Sequence, residues 1–403
     1  MRAGNLLIVQ GGGPTAVFNA SLAGALAEAK LMPGTERIFG ARAGTTGLTR
    51  GEFIDLTDMP VADLNVLRNS PGAALGSSRS QPSEDDLEQQ VVQMKKMGIP
   101  KVIFMGGNGT MRGAMIVSSF CRSMQWDMQV MGVPKTVDND IALTDRCPGF
   151  ASAARYVAQS TRELGMDLRS LPQPVTILET MGRSVGWLAA SATMARVEPQ
   201  DAPHLVYVPE IPFQTETFLA DLDNVVSRHG WAVVVVAEGI RHSDGRFVYE
   251  VTTATQQDPQ KRPLTGGVSQ YLADVVAENL RIRCRSEKPG LLGRASVAHV
   301  AQQDLVDAEA VGREAVRAMA AGESDKMVAL LPLQRQGDAR CELVPLASVA
   351  GIERSIPREW LSGGSTAVGE GFHDYVRPLI GPLQEYCREF SFDMSLCGGS
   401  RPC

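Results

Sequence analysis

The sequence lacks the long apolar run that would place it in a membrane. None of its 403 residues lies in a stretch of 18 uncharged apolar residues, about the least that a membrane-spanning helix needs. The first residues, MRAGN, lead into a short apolar segment without the small-residue cleavage site of a secretory signal. We therefore expect a compact cytoplasmic protein that does not bind membranes.

Patterned cysteine is also missing. The seven cysteines include no pair separated by two residues, and no histidine stands at the spacing of a zinc site. A disulfide framework and a zinc module are thereby disfavoured. We expect free thiols in a reducing compartment.

The chain has no excess of positive charge. Its formal net charge is −6, and no basic tract is interleaved with aromatic residues. Nucleic-acid binding proteins usually carry such a basic footprint, so we expect no nucleic acid as partner. An anionic small substrate would have to meet a locally basic pocket.

Short apolar runs recur along the chain and alternate with helical patterns. Most of the runs are followed by glycine, proline or polar residues, and this alternation is typical of buried parallel strands joined by crossover helices. We therefore predict an α/β fold. The predicted strands are 6–9, 102–105, 128–133, 175–178, 205–208 and 233–236, and the predicted helices are 150–164, 184–196, 268–281 and 308–320, with Ser83 as the N-cap of a further helix over 87–97.

Two glycine-rich loops follow two of these strands. The sequence QGGGPT occupies residues 10–15 and GGNGT occupies residues 106–110, and each leads into a helix. Glycines let backbone amides approach an anion closely, and a helix N-terminus favours negative charge. Taken alone, an isolated GGG is explained equally well by a tight turn without a ligand.

A third loop, PKTVDND at residues 134–140, follows the strand at 128–133. Lys135 can neutralise phosphate, Asp138 can accept the proton of an attacking hydroxyl, and Asp140 can hold Mg²⁺. Because parallel strands end at one edge of a sheet, the three loops are expected to meet there. The alternative for each acid is a solvated loop or an N-cap of the next helix.

Two further strand ends carry charged residues. Arg183, in ETMGRSVGW, can reach over a transferring phosphoryl group with forked hydrogen bonds, although a structural salt bridge would explain it too. Glu238, in VAEG, can accept hydrogen bonds from sugar hydroxyls, or it is a buried acid satisfied by backbone amides.

Together with LGSSR, CPGF, LLGR and DYVRPLIG, these loops resemble the phosphofructokinase family over about residues 5–381. TAVFNAS, the GGN loop and Lys135 resemble the pyrophosphate-using branch of that family. The resemblance implies a Mg²⁺-assisted transfer of a phosphoryl group from pyrophosphate, or ATP, to the C1 hydroxyl of fructose 6-phosphate.

The resemblance also implies roles for individual residues. Asp138 would be the general base, with Lys135, Thr136 and Arg183 beside it. The donor would meet Gly12, Gly13, Arg79, Gly107, Asn108, Gly109 and Thr110. The sugar would meet Thr136, Asp138, Met181, Gly182, Arg183 and Glu238, with Arg285 and Arg294 at its distal phosphate, and the metal would meet Asp140 and Asn108.

Several positions depart from the family's pattern. Asn108 stands where the family has a magnesium-binding aspartate, and Gly109 resembles ATP users while Lys135 resembles pyrophosphate users. Pro174 and Leu291 replace an arginine and a His or Tyr that serve the sugar phosphate. A different phosphosugar or hydroxyl acceptor, and a non-catalytic regulatory subunit of the same fold, therefore stay open as alternatives.

The resemblance implies two Rossmann-like, three-layer domains with mostly parallel sheets and the active site in the cleft between them. A donor-binding domain would comprise 1–147 plus 265–310, and a sugar-phosphate-binding domain 148–264 plus 311–391. Residues 392–403 lose periodicity, which predicts a loose tail. A homodimer or homotetramer with acceptor sites at subunit contacts is also implied.

Overall fold

The computed structural model describes residues 3–170, 174–250, 265–362 and 368–387. The predicted tail at 392–403 lies outside these residues. The strands are β1 Gly4–Gln10, β2 Thr35–Ala41, β3 Phe53–Asp55, β4 Lys101–Gly106, β5 Gln129–Pro134, β6 Val175–Thr180, β7 Leu205–Tyr207, β8 Ala232–Ala237, β9 Cys284–Glu287, β10 Lys326–Leu330 and β11 Cys341–Pro345. The helices are α1 Phe18–Ala29, α2 Thr45–Arg50, α3 Val61–Arg68, α4 Glu84–Lys96, α5 Asn108–Ser123, α6 Phe150–Ser170, α7 Trp187–Ser191, α8 Thr215–His229, α9 Val268–Leu280, α10 Leu292–Ala295, α11 Gln302–Ala320 and α12 Glu370–Ile380.

The first sheet has seven strands in the order β11-β10-β5-β4-β1-β2-β3. Its centre is parallel, and among its described strands only the pairs β2–β3 and β10–β11 are antiparallel. Alternate residues of β1 enter different hydrophobic cores, with Leu7 and Val9 on one face and Leu6 and Ile8 on the other. Such burial on both faces explains why the strand reads as one unbroken apolar run.

The second sheet has four parallel strands in the order β7-β8-β6-β9. Its core is centred on Trp187, which is 1% exposed and packs against the rings of Phe150 and Phe372. The mixed α/β architecture with mostly parallel sheets confirms the predicted fold class.

The strand pairing corrects the expected division of the C-terminal half of the chain. β9, expected in the donor-binding domain, hydrogen-bonds to β6 in the four-stranded sheet. β10 and β11, expected in the sugar domain, belong to the seven-stranded sheet. Helix α11 also packs closely against α1, because Gly312 has no Cβ. A Cβ there would lie 2.1 Å from the carbonyl oxygen of Ser21. The chain therefore returns to the first sheet at α11 rather than near residue 265.

Local predictions agree with the structure at most elements. Ser83 caps α4 and forms a reciprocal capping box with Asp86. The helix predicted over 184–196 is shorter, with α7 followed by a 3₁₀ turn at Ala192–Ala195. Among the described residues, none of the helices combines the length and apolarity required to cross a bilayer. Of the described cysteines, Cys121, Cys147, Cys284 and Cys341 form no disulfide.

Candidate active site

A cleft of about 490 Å³ lies where the strand-end loops of both sheets meet. The loops after β1, β4 and β5 form one wall, named the donor wall after the role that the sequence predicts for it. The loops after β6 and β8 contribute to the other wall, named the acceptor wall for the same reason. Among the described lining residues are most of those predicted from the sequence, namely Gly12, Gly13, Arg79, Gly107, Asn108, Gly109, Thr110, Lys135, Thr136, Asp138, Asp140, Met181, Arg183, Glu238 and Arg294.

The two glycine loops are packed around one threonine. A Cβ at Gly11 or at Gly106 would come within 2.5 Å or 2.2 Å of the Thr110 hydroxyl oxygen. Gly12 has φ of 79°, which favours glycine, and Lys135 Nζ lies 3.3 Å from the position of its absent Cβ. These glycines are therefore required by close packing as well as by any ligand.

Lys135 is held inside the donor wall. Its side chain is 2% exposed, its Nζ donates to the carbonyl oxygen of Gly13 at 2.6 Å, and the Phe18 ring lies 4.4 Å away. Burial lowers the pKa of Lys135 to about 7, and the nearby Arg294 guanidinium acts in the same direction. An anion entering the cleft would restore the ammonium form, so this position suits a phosphate.

Asp138 lies at the centre of the cleft. Burial raises the pKa of its carboxyl to about 7, and repulsion from Asp140 and Glu238 adds to the rise, while Lys135 opposes it. Its backbone N–H donates to the Thr136 hydroxyl at 3.1 Å, which fixes the turn. A carboxylate with a raised pKa is suited to accept a proton from an alcohol near neutral pH.

Asn108 and Asp140 face each other across the cleft floor. The Asn108 amide nitrogen donates to Asp140 Oδ2 at 3.0 Å and to its backbone oxygen at 3.1 Å. The remaining oxygen of each side chain is buried and has no hydrogen-bond partner among the residues that the structure describes. Two such oxygens suit a hard cation, although no three His, Cys, Asp or Glu side chains of the described chain converge on one point. Mg²⁺ commonly completes its shell with water and substrate phosphates, so the pair fits it.

The loop after β6 brings Arg183 to the cleft. Its backbone is fixed because the Gly239 N–H donates to the Gly182 carbonyl oxygen at 3.1 Å. Gly182 has φ of 135°, and a Cβ there would lie 2.6 Å from the Val185 carbonyl oxygen. Gly182 shapes this turn rather than lining the cleft among the described residues.

Glu238 lines the acceptor wall at the end of β8. Burial raises the pKa of its carboxyl, repulsion from Glu179 acts in the same direction, and Lys288 and a hydrogen bond from the Thr265 side chain oppose the rise. Thr265 also lines the cleft.

The two arginines expected at the distal phosphate are separated in one chain. Arg294 lines the cleft, with its Nη1 atom 2.6 Å from where a Gly13 Cβ would be. Arg285 is exposed on β9 and is not among the described lining residues. The structure thus brings Arg294, but not Arg285, to the site formed by a single chain.

Glu353 and Gln81 are among the described residues at the cleft that sequence reasoning missed. Glu353 lines the cleft because its strand-like bridge to Ile141 and the bond from Arg354 N–H to the Asp140 carbonyl oxygen, 2.8 Å, dock its segment on the DND turn. Gln81 donates to the Gly109 carbonyl oxygen at 3.1 Å. Neither residue follows an apolar run, so no local signal marked it.

A cleft with glycine loops, a buried lysine, a candidate carboxylate base and paired oxygens for Mg²⁺ between two mostly parallel sheets defines a phosphoryl-transfer enzyme. The phosphofructokinase family model matches residues 5–319. A pyrophosphate–fructose 6-phosphate 1-phosphotransferase of Xanthomonas campestris pv. campestris (strain B100) is 36% identical over 395 residues, which cover 94% of this chain and 92% of the relative. The chain belongs to the phosphofructokinase family and is a phosphofructokinase-type enzyme.

A second sequence relative and a solved structure are also similar to this chain. A sulfofructose kinase of Alkalicoccus urumqiensis is 34% identical over 88% of this chain and 94% of its own length. The crystal structure of a pyrophosphate-dependent phosphofructokinase from Nitrosospira multiformis superposes with a TM-score of 0.85 at 30% identity, covering 96% of this chain and 95% of that one.

Proposed function

We propose that the protein transfers a phosphoryl group from pyrophosphate to the C1 hydroxyl of fructose 6-phosphate. The observation that carries the proposal is the convergence of Lys135, Asp138 and Arg183 on one cleft. Relatives that carry this activity in their names, such as the Xanthomonas protein, support the same reaction.

In the proposed reaction the C1 oxygen attacks the terminal phosphorus of the donor. A new O–P bond forms, the bridging P–O bond breaks, inorganic phosphate leaves, and the hydroxyl proton passes to Asp138. Lys135 and Arg183 stabilise the charge on the migrating group. Asp140 and Asn108 would hold Mg²⁺, which neutralises phosphate charge when bound.

Two residues bear on the choice of donor. The buried ammonium of Lys135 supplies a cation close to Gly13, which suits a short donor such as pyrophosphate. Gly109 leaves room for a longer one, and its carbonyl oxygen is already bonded to Gln81. Lys135 and the named relatives favour pyrophosphate, and ATP is the alternative donor.

The acceptor has a second candidate. Leu291 is 65% exposed where the family pattern has a phosphate-binding His or Tyr, and Arg285 lies outside the cleft of one chain. A sugar with a different anionic group at its distal end, of the kind named in the Alkalicoccus relative, would suit such a pocket.

We also propose that the protein is a cytoplasmic homodimer or homotetramer in which a second copy completes the acceptor site. The free thiols of Cys121, Cys147, Cys284 and Cys341, within the described part of the chain, are compatible with a reducing compartment. The exposure of Arg285 on β9 makes it available to a neighbouring copy.

The test is a matrix of donors and acceptors followed by phosphorus NMR. Pyrophosphate and ATP are each offered with fructose 6-phosphate, other phosphosugars and a sulfonated fructose. We expect the pair pyrophosphate and fructose 6-phosphate to give the highest kcat/KM. A higher value with ATP would overturn the donor, and a higher value with the sulfonated sugar would overturn the acceptor.

A further inference from the structure

Glu179 is a buried carboxylate next to the cleft to which the reaction above gives no role. It is the penultimate residue of β6 and is 3% exposed. Its oxygens accept from the backbone N–H of Gly267 at 2.9 Å, and from the backbone N–H and hydroxyl of Ser269 at 3.0 Å each. A buried charged group needs hydrogen-bond donors around it. These bonds leave the Glu179 side chain little conformational freedom.

The donors belong to the start of α9. Gly266 and Gly267 have φ of 109° and 101°, and Gly267 is the N-cap. Glycine has no side chain to cap the first turn, whose N–H groups need acceptors. Glu179 supplies those acceptors from another element, with its negative charge at the positive end of the helix.

Lys288 provides the counter-charge. Its Nζ lies 3.2 Å from Glu179 Oε1, just beyond the end of β9, and 2.4 Å from where a Gly266 Cβ would be. Ser269 is also bonded to Ser286 on β9 at 2.8 Å. Glu179 therefore ties together the ends of β6 and β9 and the first turn of α9.

This junction reaches the cleft through Thr265. Thr265 precedes Gly267 by two residues, lines the cleft, and donates its side-chain hydrogen bond to Glu238. The position of the Thr265 hydroxyl is thus set by the turn that Glu179 fixes.

We infer that Glu179 is a positioning residue for acceptor binding, which holds the Thr265–Ser269 turn so that Thr265 orients the Glu238 carboxylate toward the acceptor's hydroxyls. The inference rests on the proposed function, because it takes Glu238 as the group that binds the sugar. The inference predicts that removing the Glu179 carboxylate weakens the binding of the acceptor only. If the carboxylate had a purely structural role, its removal would weaken the binding of donor and acceptor alike.

The kinetic test compares Glu179→Gln, Thr265→Val and the double variant. We expect each single variant to raise the KM for fructose 6-phosphate about tenfold or more, with the KM for pyrophosphate changed less than twofold. Because both act through Glu238, the double variant should be no worse than Thr265→Val. Additive losses, or equal losses for both substrates, would overturn the inference.

A matched control is Asp201→Asn. Like Glu179, Asp201 accepts from two backbone N–H groups, those of Val197 and Glu198, and pairs with a basic side chain, that of Arg169. None of these four residues is among the described residues that line the cleft. We expect its KM for fructose 6-phosphate to stay within twofold of the wild type.

A second measurement does not depend on any substrate. Hydrogen exchange followed by mass spectrometry should show the amides of residues 267–269 exchanging at least ten times faster in Glu179→Gln than in the wild type. Unchanged exchange would overturn the positioning role even if the enzyme is active. If the wild type instead transfers nothing to fructose 6-phosphate, the proposed function fails while the exchange result still decides whether Glu179 holds the turn.

Discussion

The two walls of the cleft are built differently. On the donor wall the charged groups are fixed by direct contacts, such as Lys135 on the Gly13 carbonyl oxygen and Asn108 on Asp140. On the acceptor wall, Glu238 is held through Thr265, and Arg285 lies outside the cleft of one chain. Under the proposed function, phosphoryl transfer would be organised within one chain, while acceptor recognition would depend on relayed contacts and on a second copy.

The largest effect is expected at Asp138, where the two walls meet. Asp138→Asn keeps the shape of the side chain, but the amide cannot accept the proton of the C1 hydroxyl. We therefore expect kcat to fall by a factor of roughly 10²–10⁴. A coupled assay of phosphate release measures the loss, and circular dichroism checks the fold. A kcat near that of the wild type would remove Asp138 from the mechanism.

A smaller effect, confined to the donor wall, is expected from Lys135→Met. Losing a charge-assisted phosphate contact costs about 1.5–3 kcal/mol, so pyrophosphate affinity should fall roughly 10- to 100-fold while acceptor affinity is kept. Titration calorimetry measures both. An equal loss for the acceptor would contradict the separation of the walls.

The same variant tests the pH dependence of donor binding. The pKa of Lys135 is lowered to about 7 by burial, so its ammonium form is lost as pH rises through that value in the free enzyme. Pyrophosphate affinity of the wild type, relative to Lys135→Met, should therefore decline above pH 7. If the ratio of the two pyrophosphate affinities stays constant from pH 6 to 8.5, Lys135 does not act as a titrating cation in donor binding.

The variant Arg285→Ala tests whether a second copy of the chain contributes a residue to the acceptor wall. Arg285→Ala alone should raise the acceptor KM about tenfold in the assembled protein. When it is mixed and reassembled with Asp138→Asn, some sites should combine an intact Asp138 from one copy with an intact Arg285 from the other. Activity should then recover above the sum of the separate variants, and no recovery would confine the site to one chain.

The donor wall was also the part that the sequence predicted best. Its loops follow apolar runs, so the sheet rule alone placed Gly12, Asn108 and Lys135 at one edge. Glu353 was not predicted because it comes from a distant irregular segment, which is docked by the bridge to Ile141 and by the bond from Arg354 N–H to the Asp140 carbonyl oxygen. The sequence did not predict β9 as a strand of the second sheet. Its residues read CRSE and alternate in exposure, so they form no apolar run.

The smallest effect on turnover is expected at His204, which directly precedes β7 and is not among the described lining residues; here the expected effect is on stability. Its Nδ1 accepts from the Val233 N–H at 3.1 Å, and burial lowers its pKa from 6.5 to about 4. Between these values the unfolded chain binds the proton more strongly, so stability should fall by on the order of 2–3 kcal/mol as pH drops from 6.5 to 4. Urea unfolding of the wild type and His204→Asn measures this, and the variant should show a shallower decline. Identical declines would exclude His204 as the cause.

The most direct test of the account is a crystal structure of Asp138→Asn with Mg²⁺, pyrophosphate and fructose 6-phosphate bound. We predict that the C1 hydroxyl oxygen lies within hydrogen-bond distance of the residue at position 138 and in line with the terminal phosphorus, with Lys135 and Arg183 on the phosphate oxygens. A complex in which the sugar's C1 hydroxyl lies elsewhere, or in which Lys135 and Arg183 contact different ligands, would contradict it.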